Sequence, residues 1–218
     1  MRKWIPVLVV LVALIASVWA YPNLPERIPT HWDLDGNVNG YSSRLWGAFG
    51  LPLAMVILYA GMRFLPIVDP RRENYAKFAG AYDGIILAVL LFMLGIHAIV
   101  LRAGMGHPIS MQKVLPLSLG LLFIVIGTLL PRARSNFFVG IRTPWTLSSE
   151  KSWEKTHHAG GYVFAFIGLV MAASAFLPIS TGWPVVWVVT ACAILGLVVY
   201  SYLVWRDDPD KHNMFSPR

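Results

Sequence analysis

The chain has 218 residues, of which 56% are hydrophobic and only 13% charged, and its mean hydropathy is +0.60. Soluble domains carry about 25% charged residues, so the composition indicates an integral membrane protein and excludes an ordinary soluble domain. The single cysteine, Cys192, lies in an apolar run, which leaves no intramolecular disulfide and no C-x-x-C metal or redox motif. The net charge of +7 does not indicate direct nucleic-acid binding, because the basic residues are dispersed at the ends of apolar runs.

Six apolar runs are long enough to cross a bilayer as helices. A spanning helix needs about 20 mainly apolar residues, and runs of roughly this length lie at residues 4–21, 46–65, 82–101, 114–130, 162–177 and 183–205. Tryptophans near the ends of the runs fit interfacial aromatic belts; they are Trp4, Trp19, Trp46, Trp183 and Trp205. The sequence therefore predicts an all-α, polytopic protein with six transmembrane helices, located in the cell membrane as a multi-pass protein.

The distribution of Lys and Arg between the runs predicts the orientation. With a cytosolic N-terminus, 14 of the 18 basic residues lie on the cytosolic side. The other four are Arg27, Arg44, Arg102 and Lys113. Because cytosolic loops are enriched in Lys and Arg, we expect both termini to lie in the cytosol and residues 22–45 to lie outside.

The first run allows a second interpretation. A basic start, an apolar core and the sequence Val18-Trp19-Ala20 could form a signal peptide cleaved before Tyr21. The run is somewhat long for a signal peptide, and Trp next to the cleavage site is unusual. A retained transmembrane helix is therefore favoured.

The outer loop at residues 22–45 is rich in turn-forming residues. Its three prolines favour extended backbone, and Asp35-Gly36 and Asn39-Gly40 are dipeptides typical of tight hairpin turns. We therefore expect an ordered loop with a turn at each dipeptide.

The same loop contains a cluster of polar side chains that could bind a cation: His31, Asp33, Asp35, Asn37 and Asn39. Residues 35–40 match the first half of a calcium loop, but Trp46 stands where the bidentate glutamate should be. A turn stabilised by Asp and Asn side chains is the favoured interpretation.

The second loop, residues 67–81, carries the charged sequence DPRREN at residues 69–74. We expect a cytosolic turn followed by a short helical lead into the third run. Charge clusters of this kind most often form a solvated surface at the lipid headgroups, which is the interpretation we favour.

Asp83 and His97 are the polar residues that stand out inside the third run. They lie about 21 Å apart along a helix axis and so cannot touch. His97 fits an interhelical hydrogen bond better than a proton relay. The runs lack the chain of acidic residues typical of ion-coupled carriers, which weakens a transporter hypothesis without removing it.

The longest polar segment, residues 136–161, lies between the fourth and fifth runs. Thr143-Pro144 requires extended backbone, so residues 136–145 are predicted to be loop. A helix can begin just afterwards, with Thr146 or Ser148 as its N-cap and Glu150 in its first turn. No helix breaker follows before the fifth run.

One face of that helix carries Trp153, Thr156, His157 and Gly160, which are spaced as i, i+3, i+4 and i+7. The opposite face carries Lys151, Lys155 and His158. Arg142, in the preceding loop, is near enough in sequence to fold back onto Glu150 or Glu154.

Two interpretations of this segment remain open. In the first, Trp145 and Trp153 anchor an interfacial re-entry, Arg142 pairs with a carboxylate or phosphate, and His157 only forms hydrogen bonds. The second is catalytic, but it lacks a nucleophile with a base and a three-ligand metal set. Adjacent His157 and His158 point about 100° apart and cannot chelate one ion.

Two motifs resemble known families. NFFVGIRTPWTLSSEKSWEKTHHAGG, at residues 136–161, resembles the signature of the SdpI family of immunity-type membrane proteins, and LPERIPTHWDLDGNVNGYSSR, at residues 24–44, is similar to the DUF1648 domain often placed before it. The resemblance implies a DUF1648-like two-helix unit at 1–66, a third helix with connectors at 67–112, an SdpI-like three-helix unit at 113–205 and a cytosolic tail at 206–218.

The resemblance also implies two sets of binding residues. The cytosolic set comprises Asn136, Gly140, Arg142, Thr143, Pro144, Trp145, Thr146, Ser148, Trp153, Thr156, His157 and Gly160. The outer set comprises Pro29, His31, Gly36 and Gly40, to which we add Asp33, Asp35 and Asn37 from the polar cluster. No metal ligand set is predicted in either.

The family implies resistance to a membrane-active peptide toxin, together with capture of a cognate cytosolic repressor at the membrane. An enzyme at the lipid-headgroup level, with His157 as base and Arg142 as phosphate clamp, is one alternative. A small exporter is another. We expect no cofactor; the expected partners are membrane lipids, a peptide toxin and a cytosolic repressor.

Overall fold

A computed structural model of the chain describes residues 4–107 and 109–211. Its helices are α1 (Trp4–Ala20), α2 (Arg44–Val68), α3 (Glu73–Lys77), α4 (Ala79–Gly104), α5 (Met111–Leu129), α6 (Pro144–Ser148), α7 (Glu150–Ser174) and α8 (Ile179–Arg206). Two strands, β1 (Arg27–Trp32) and β2 (Val38–Ser43), lie between α1 and α2. Arg2, Lys3 and Arg218, which the orientation prediction counts as cytosolic, and residues 212–218 of the predicted tail lie outside the described residues.

Six helices are long and apolar enough to cross a membrane: α1, α2, α4, α5, α7 and α8. This confirms the six predicted spans. The fifth span begins early, since α7 starts at Glu150 and continues without a break through Gly160 and Gly161, as predicted. The short α3 is the predicted helical lead into the third span. The direction in which the helices cross the membrane stays a prediction.

Helices α1, α2 and α4 pack together around a buried apolar core that includes Val10, Met55 and Leu90. One hydroxyl joins all three helices, because the Ser17 Oγ lies 2.6 Å from the Ala48 carbonyl oxygen and 2.9 Å from His97 Nε2. His97 is completely buried and forms the interhelical hydrogen bond predicted for it.

Helices α5 and α7 cross in direct backbone contact at two pairs of glycines. A Cβ atom on Gly168 would lie 2.5 Å from the carbonyl oxygen of Gly120, and one on Gly127 would lie 2.6 Å from that of Gly161. The two glycines on each helix are seven residues apart, so they lie on the same face of that helix. Helix α8 then packs on α7 through an apolar cluster that includes Ile167 and Val186.

The two sets of three helices meet along α4 and α5. Near the start of α4, the side chain of Leu129 lies 3.0 Å from where a Cβ on Gly84 would stand. The connections divide between two ends of the bundle. The strands lie at what we call the hairpin end, and residues 69–78 and 131–149 lie at the opposite, signature end.

Candidate functional site

The loop at residues 133–149, which we call the signature loop, folds around the side chain of Asn136. Its amide nitrogen donates to the carbonyl oxygens of Arg134 (2.8 Å) and Val139 (2.9 Å). Its Oδ1 accepts from the backbone N–H groups of Phe138 (2.9 Å) and Val139 (2.6 Å). Asn136 is fully buried, and an amide is needed because the site requires donors and acceptors together.

His157 fastens the signature loop to α7. Its Nδ1 donates to the carbonyl oxygen of Trp153 (2.8 Å), and its Nε2 accepts from the backbone N–H of Ile141 (2.9 Å). The imidazole is stacked on the Trp153 indole with ring centroids 4.0 Å apart. Both ring nitrogens are therefore engaged in a fully buried side chain, which leaves no site on the ring for the base that the enzyme hypothesis requires.

Two glycines allow this close approach. Gly140 has a φ of +116°, and a Cβ there would overlap His157 Nε2. A Cβ on Gly160 would overlap the side chain of Ile141. The predicted face of Trp153, Thr156, His157 and Gly160 is buried along its whole length, so the shared face that the spacing predicts points into the protein.

The start of the helical region differs from the prediction. Thr143 and Thr146 form a capping box for the short helix α6, and Ser149 caps α7 by accepting from the Ser152 N–H at 2.9 Å. The predicted N-caps, Thr146 and Ser148, are therefore wrong, and Trp145 lies in a helix rather than in loop. Pro144 is compatible with α6 because the first helical position needs no N–H donor.

The prediction that Arg142 folds back onto Glu150 or Glu154 is also wrong. Its guanidinium donates to the carbonyl oxygen of Phe137 at 2.8 Å, while Glu154 pairs with Arg134 at 3.4 Å. The side chain of Arg142 is exposed. Its cation stabilises the turn of the signature loop and remains accessible from solution.

The loop at residues 69–78 contacts the signature loop, contrary to the predicted solvated surface. Asp69 is 2% exposed and accepts from the backbone N–H of Phe137 (2.9 Å), the hydroxyl of Tyr75 (2.9 Å) and the N–H of Arg71 (2.7 Å). Burial and the hydrogen bond to Asp69 raise the pKa of Tyr75, so its hydroxyl stays a donor at neutral pH.

Arg71 extends the same interface. Its guanidinium donates to the Ser135 hydroxyl and, at 2.7 Å, to the Leu147 carbonyl oxygen, and it lies over the Phe137 ring. The amide of Asn74 adds a 2.7 Å hydrogen bond to the carbonyl oxygen of Ser135. Residues 69–74 were not among the predicted site residues, although they form much of the support of the signature loop.

The C-terminal segment completes this end. Asp208 is buried and accepts a 2.5 Å hydrogen bond from the Ser149 hydroxyl at the start of α7. This hydrogen bond is the main cause of the lowered pKa of Asp208. A cavity of about 470 Å3 lies beside it, bounded by Arg71, Glu150 and Lys151.

Most of the predicted cytosolic set is buried. Only Arg142 and Pro144 are exposed, while Gly140 and Trp145 are partly exposed. The buried members are Asn136, Thr143, Thr146, Ser148, Trp153, Thr156, His157 and Gly160. Their contacts build the loop, so Arg142 and Pro144 are the members of the predicted set that are most accessible from solution.

At the opposite end, β1 and β2 form an antiparallel hairpin that adds a small sheet to the predicted all-α fold. Ile28 anchors it, since this side chain is fully buried and a Cβ on Gly47 would overlap it. A Cβ on Gly104 would lie 3.1 Å from Ile28, so the hairpin rests on both α2 and α4.

The turn of the hairpin follows one of the two predicted turn dipeptides. Gly36 has a φ of +77°, and the Asp33 carboxylate accepts from the Asn37 N–H at 2.8 Å, which confirms a turn stabilised by an Asp side chain. The carbonyl oxygen of Asp35 accepts from the Gln112 amide, which holds the turn against α5.

The turn predicted at Asn39-Gly40 is wrong, because both residues lie in β2. Gly40 permits close pairing there, since its Cβ would lie 2.8 Å from the Cβ of His31. His31 Nδ1 lies 2.5 Å from the Asn39 side-chain oxygen, and Pro29 pairs with Tyr41. In residues 4–107 and 109–211 no three His, Cys, Asp or Glu side chains group as a metal site would require.

One charged pair within the spans was not anticipated. Arg63 of α2 and Asp83 of α4 form an ion pair at 2.6 Å, close to the signature end. A charged side chain inside a membrane span costs free energy unless it is paired with an opposite charge. Both residues lie about one helical turn from that end of their helices, and this similar depth was the signal that could have predicted the pair.

Six membrane-crossing helices, with a hairpin at one end and a buried signature loop at the other, define a multi-pass protein of the cell membrane. Residues 8–56 match the model of DUF1648, a domain of unknown function, and residues 132–201 match the SdpI/YfhL protein family. The chain therefore carries a DUF1648 domain followed by an SdpI/YfhL-type domain, as the resemblance predicted. The four-part division of the chain stays a prediction.

The chain is similar to the immunity protein SdpI of Bacillus subtilis (strain 168). The two are 25% identical over 199 residues, which is 91% of each chain. No solved structure matches this chain.

Proposed function

We propose that this protein is a membrane immunity protein that protects its own cell against a membrane-active peptide toxin. The similarity to the immunity protein SdpI carries the proposal, because it extends over 91% of both chains and so includes both the hairpin end and the signature end. Protection by binding fits two ordered surfaces, and His157, the base of the enzyme hypothesis, has both ring nitrogens engaged in hydrogen bonds.

The hairpin end is the surface that we assign to the toxin. With the N-terminus in the cytosol, this end lies outside and meets a secreted peptide first. Leu34 at the turn, Tyr41 on β2 and Trp46 at the start of α2 are exposed. Such apolar and aromatic side chains at the membrane interface suit the apolar face of an amphipathic peptide.

Expression in a toxin-sensitive bacterium, scored as survival against toxin concentration, tests the proposal. We expect the wild-type chain to protect, and Leu34→Ser and His31→Ala to reduce protection at equal membrane abundance. His158→Ala is the matched control, because His158 is also exposed but lies near the signature end. Survival no better than that of cells with an empty vector would refute the proposal.

We propose capture of a cytosolic repressor as a second function, at the signature end. Arg142 and Pro144 are exposed on a loop whose other side is held by buried hydrogen bonds, so the surface is preformed. Preformed surfaces bind with a smaller ordering cost.

Co-purification of a candidate repressor with membranes tests this second function. Arg142→Ala should release the repressor while toxin protection is retained, and Lys155→Ala, which removes an exposed cation from α7, should have little effect. Retention of the repressor by Arg142→Ala membranes would contradict the proposed surface.

A further inference from the structure

A groove between α4 and α5 lies on the surface where the two sets of three helices meet. It has a volume of about 340 Å3 and an almost wholly apolar lining, which includes Gly84, Leu91 and Gly95 of α4 and Leu121 and Val125 of α5. Both helices are membrane-crossing, so the groove faces hydrocarbon. The groove can therefore bind an apolar ligand from the bilayer.

The length of the groove favours an acyl chain over a helix. From Gly84 to Gly95 the α4 axis rises about 16 Å, which is close to half of the roughly 30 Å hydrocarbon thickness of a bilayer. Gly84 lies near the start of α4, at the signature end. The groove thus extends through one leaflet, at the signature end. This length matches the depth that one acyl chain of a phospholipid occupies.

Positive charge stands at the headgroup end of the groove. Leu129 lies one α-helical turn after Val125, and Arg132 ends the 3₁₀ turn at Leu130–Arg132 that follows α5. Because residues three apart eclipse one another in a 3₁₀ turn, Arg132 lies on the same side as Leu129, at the end of the groove face of α5. Arg132 is exposed and, within the described residues, makes no hydrogen bond or ion pair. Lys77, exposed at the end of α3, precedes α4 on the other side.

We propose that the α4–α5 groove binds an anionic phospholipid, with one acyl chain along the groove and the phosphate at Arg132. Arginine suits this role because its planar guanidinium binds phosphate with two parallel hydrogen bonds. The inference is independent of the proposed immunity function, since it rests only on the groove and the cations beside it.

A second apolar groove, between α1 and α2, provides an internal comparison. It is lined by residues that include Leu14, Leu53 and Val56. The cation beside it, Arg44, is already used, because it donates to the Pro25 carbonyl oxygen at 3.3 Å and lies over the Tyr21 ring. That groove is therefore expected to accept acyl chains without a preference for anionic headgroups.

Native mass spectrometry of the purified full-length chain tests the proposal. The protein is equilibrated in detergent with equal amounts of phosphatidylglycerol and phosphatidylcholine of identical acyl chains, and the ratio of the two bound lipids is measured. Wild-type protein should retain one phosphatidylglycerol in preference. Arg132→Gln should lower the ratio about fivefold, since a basic residue near the surface attracts an anionic lipid by roughly 1 kcal/mol.

Two matched controls separate the site from general effects. Arg134→Gln removes an exposed arginine two residues away that pairs with Glu154, and it should leave the ratio unchanged. Gly95→Leu should reduce the tightly bound lipid of both kinds by filling the groove. Within residues 4–107 and 109–211, no atom lies within 4 Å of a Cβ at Gly95 or at Gly196 of α8. Both positions therefore have room for a side chain, and Gly196→Leu should have no effect on bound lipid.

The outcomes distinguish a site from loose annular lipid. An equal ratio in wild type and Arg132→Gln would overturn the headgroup assignment. If Gly95→Leu bound as much lipid as the wild type, the groove would not be the binding site. A lower ratio in Arg132→Gln together with loss of lipid in Gly95→Leu, and neither effect in the controls, supports the proposed site.

Discussion

The carboxylate of Asp69 accepts a hydrogen bond from the backbone N–H of Phe137, which is 2.9 Å away in space and 68 positions later in the chain. This contact joins the loop after α2 to the signature loop. Asp69 lies outside both residue ranges that match family models, 8–56 and 132–201. The signature loop is therefore supported by a segment that belongs to neither matched range.

Asp69→Ala should destabilise the protein by about 2 to 4 kcal/mol, because it removes the 2.9 Å acceptor of the Phe137 N–H and leaves the Tyr75 hydroxyl only its 3.4 Å contact with Asn136 Oδ1. The midpoint of thermal unfolding in detergent measures the loss. Asp35→Ala is the control, since Asp35 is exposed and contributes its backbone carbonyl rather than its carboxylate. Equal midpoints for the two variants would show that the Asp69 contacts do not stabilise the fold.

Gly140→Ala should destabilise the signature loop for two separable reasons. Its φ of +116° is unfavourable for alanine, and the new methyl group would overlap His157 Nε2. Gly106→Ala isolates the first reason, because Gly106 has a φ of +84° and no atom of the described residues lies within 4 Å of its Cβ position. We expect about 1 kcal/mol for Gly106→Ala and a clearly larger loss for Gly140→Ala. Limited proteolysis within residues 133–149 should increase only in the latter.

Gly168→Ala should weaken the packing of α5 on α7. The added methyl group would lie 2.5 Å from the carbonyl oxygen of Gly120, so the helices must separate. A loss of about 1 to 3 kcal/mol, typical of overpacking, is expected in unfolding titrations. Gly61→Ala on α2 meets no atom of the described part of the chain within 4 Å and should be neutral or slightly stabilising, since alanine favours helix more than glycine does. Two indistinguishable titrations would contradict close contact at the glycine pairs.

The attachment of the C-terminal segment should depend on pH in the acidic range. The pKa of Asp208 is lowered in the folded protein, chiefly by the hydrogen bond from the Ser149 hydroxyl. The stabilisation is therefore fully present above the ordinary aspartate pKa of about 3.9 and is lost as the pH falls through the lower folded value. Hydrogen exchange of the amides at residues 149–152 should be constant from pH 7 to pH 5, after correction for intrinsic rates.

Asp208→Asn is the comparison for that experiment. It removes the titrating carboxylate, so any protection of residues 149–152 should no longer change below pH 4. In the wild type, protection of these amides from hydrogen exchange should fall below pH 4. If it stays constant there, as in Asp208→Asn, the Asp208 carboxylate does not hold the C-terminal segment in place.

The membrane spans could be predicted from the sequence because each spanning helix needs its own run of about 20 mainly apolar residues, whatever its neighbours are. The inward face of α7 was predictable for a related reason, since the spacing of Trp153 and His157 places them on one side of any helix. Local rules failed at the helix start. Thr143, Thr146, Ser148 and Ser149 all have capping side chains, and only the tertiary contacts select Thr143 for α6 and Ser149 for α7.

The contacts of the second loop could not be predicted by such rules. The charges of Asp69 and Arg71 say nothing about partners more than 60 residues away, and a solvated surface was the natural expectation. Arg63 was overlooked for a similar reason. It stands near the end of an apolar run, where a basic residue usually marks the interface, but the fold places Asp83 beside it.

Helix α4 touches structure at both ends of the bundle. At Gly104 it supports Leu24 and Ile28 of the hairpin region, and at its start Tyr82 packs edge-on against Tyr75, whose hydroxyl holds Asp69. Its 26 residues measure about 39 Å along the axis. If α4 tilted as a rigid helix at the hairpin end, the ring of Tyr82 at its other end would move against Tyr75. A change at the hairpin would then alter the support of the signature loop at the opposite end of the bundle.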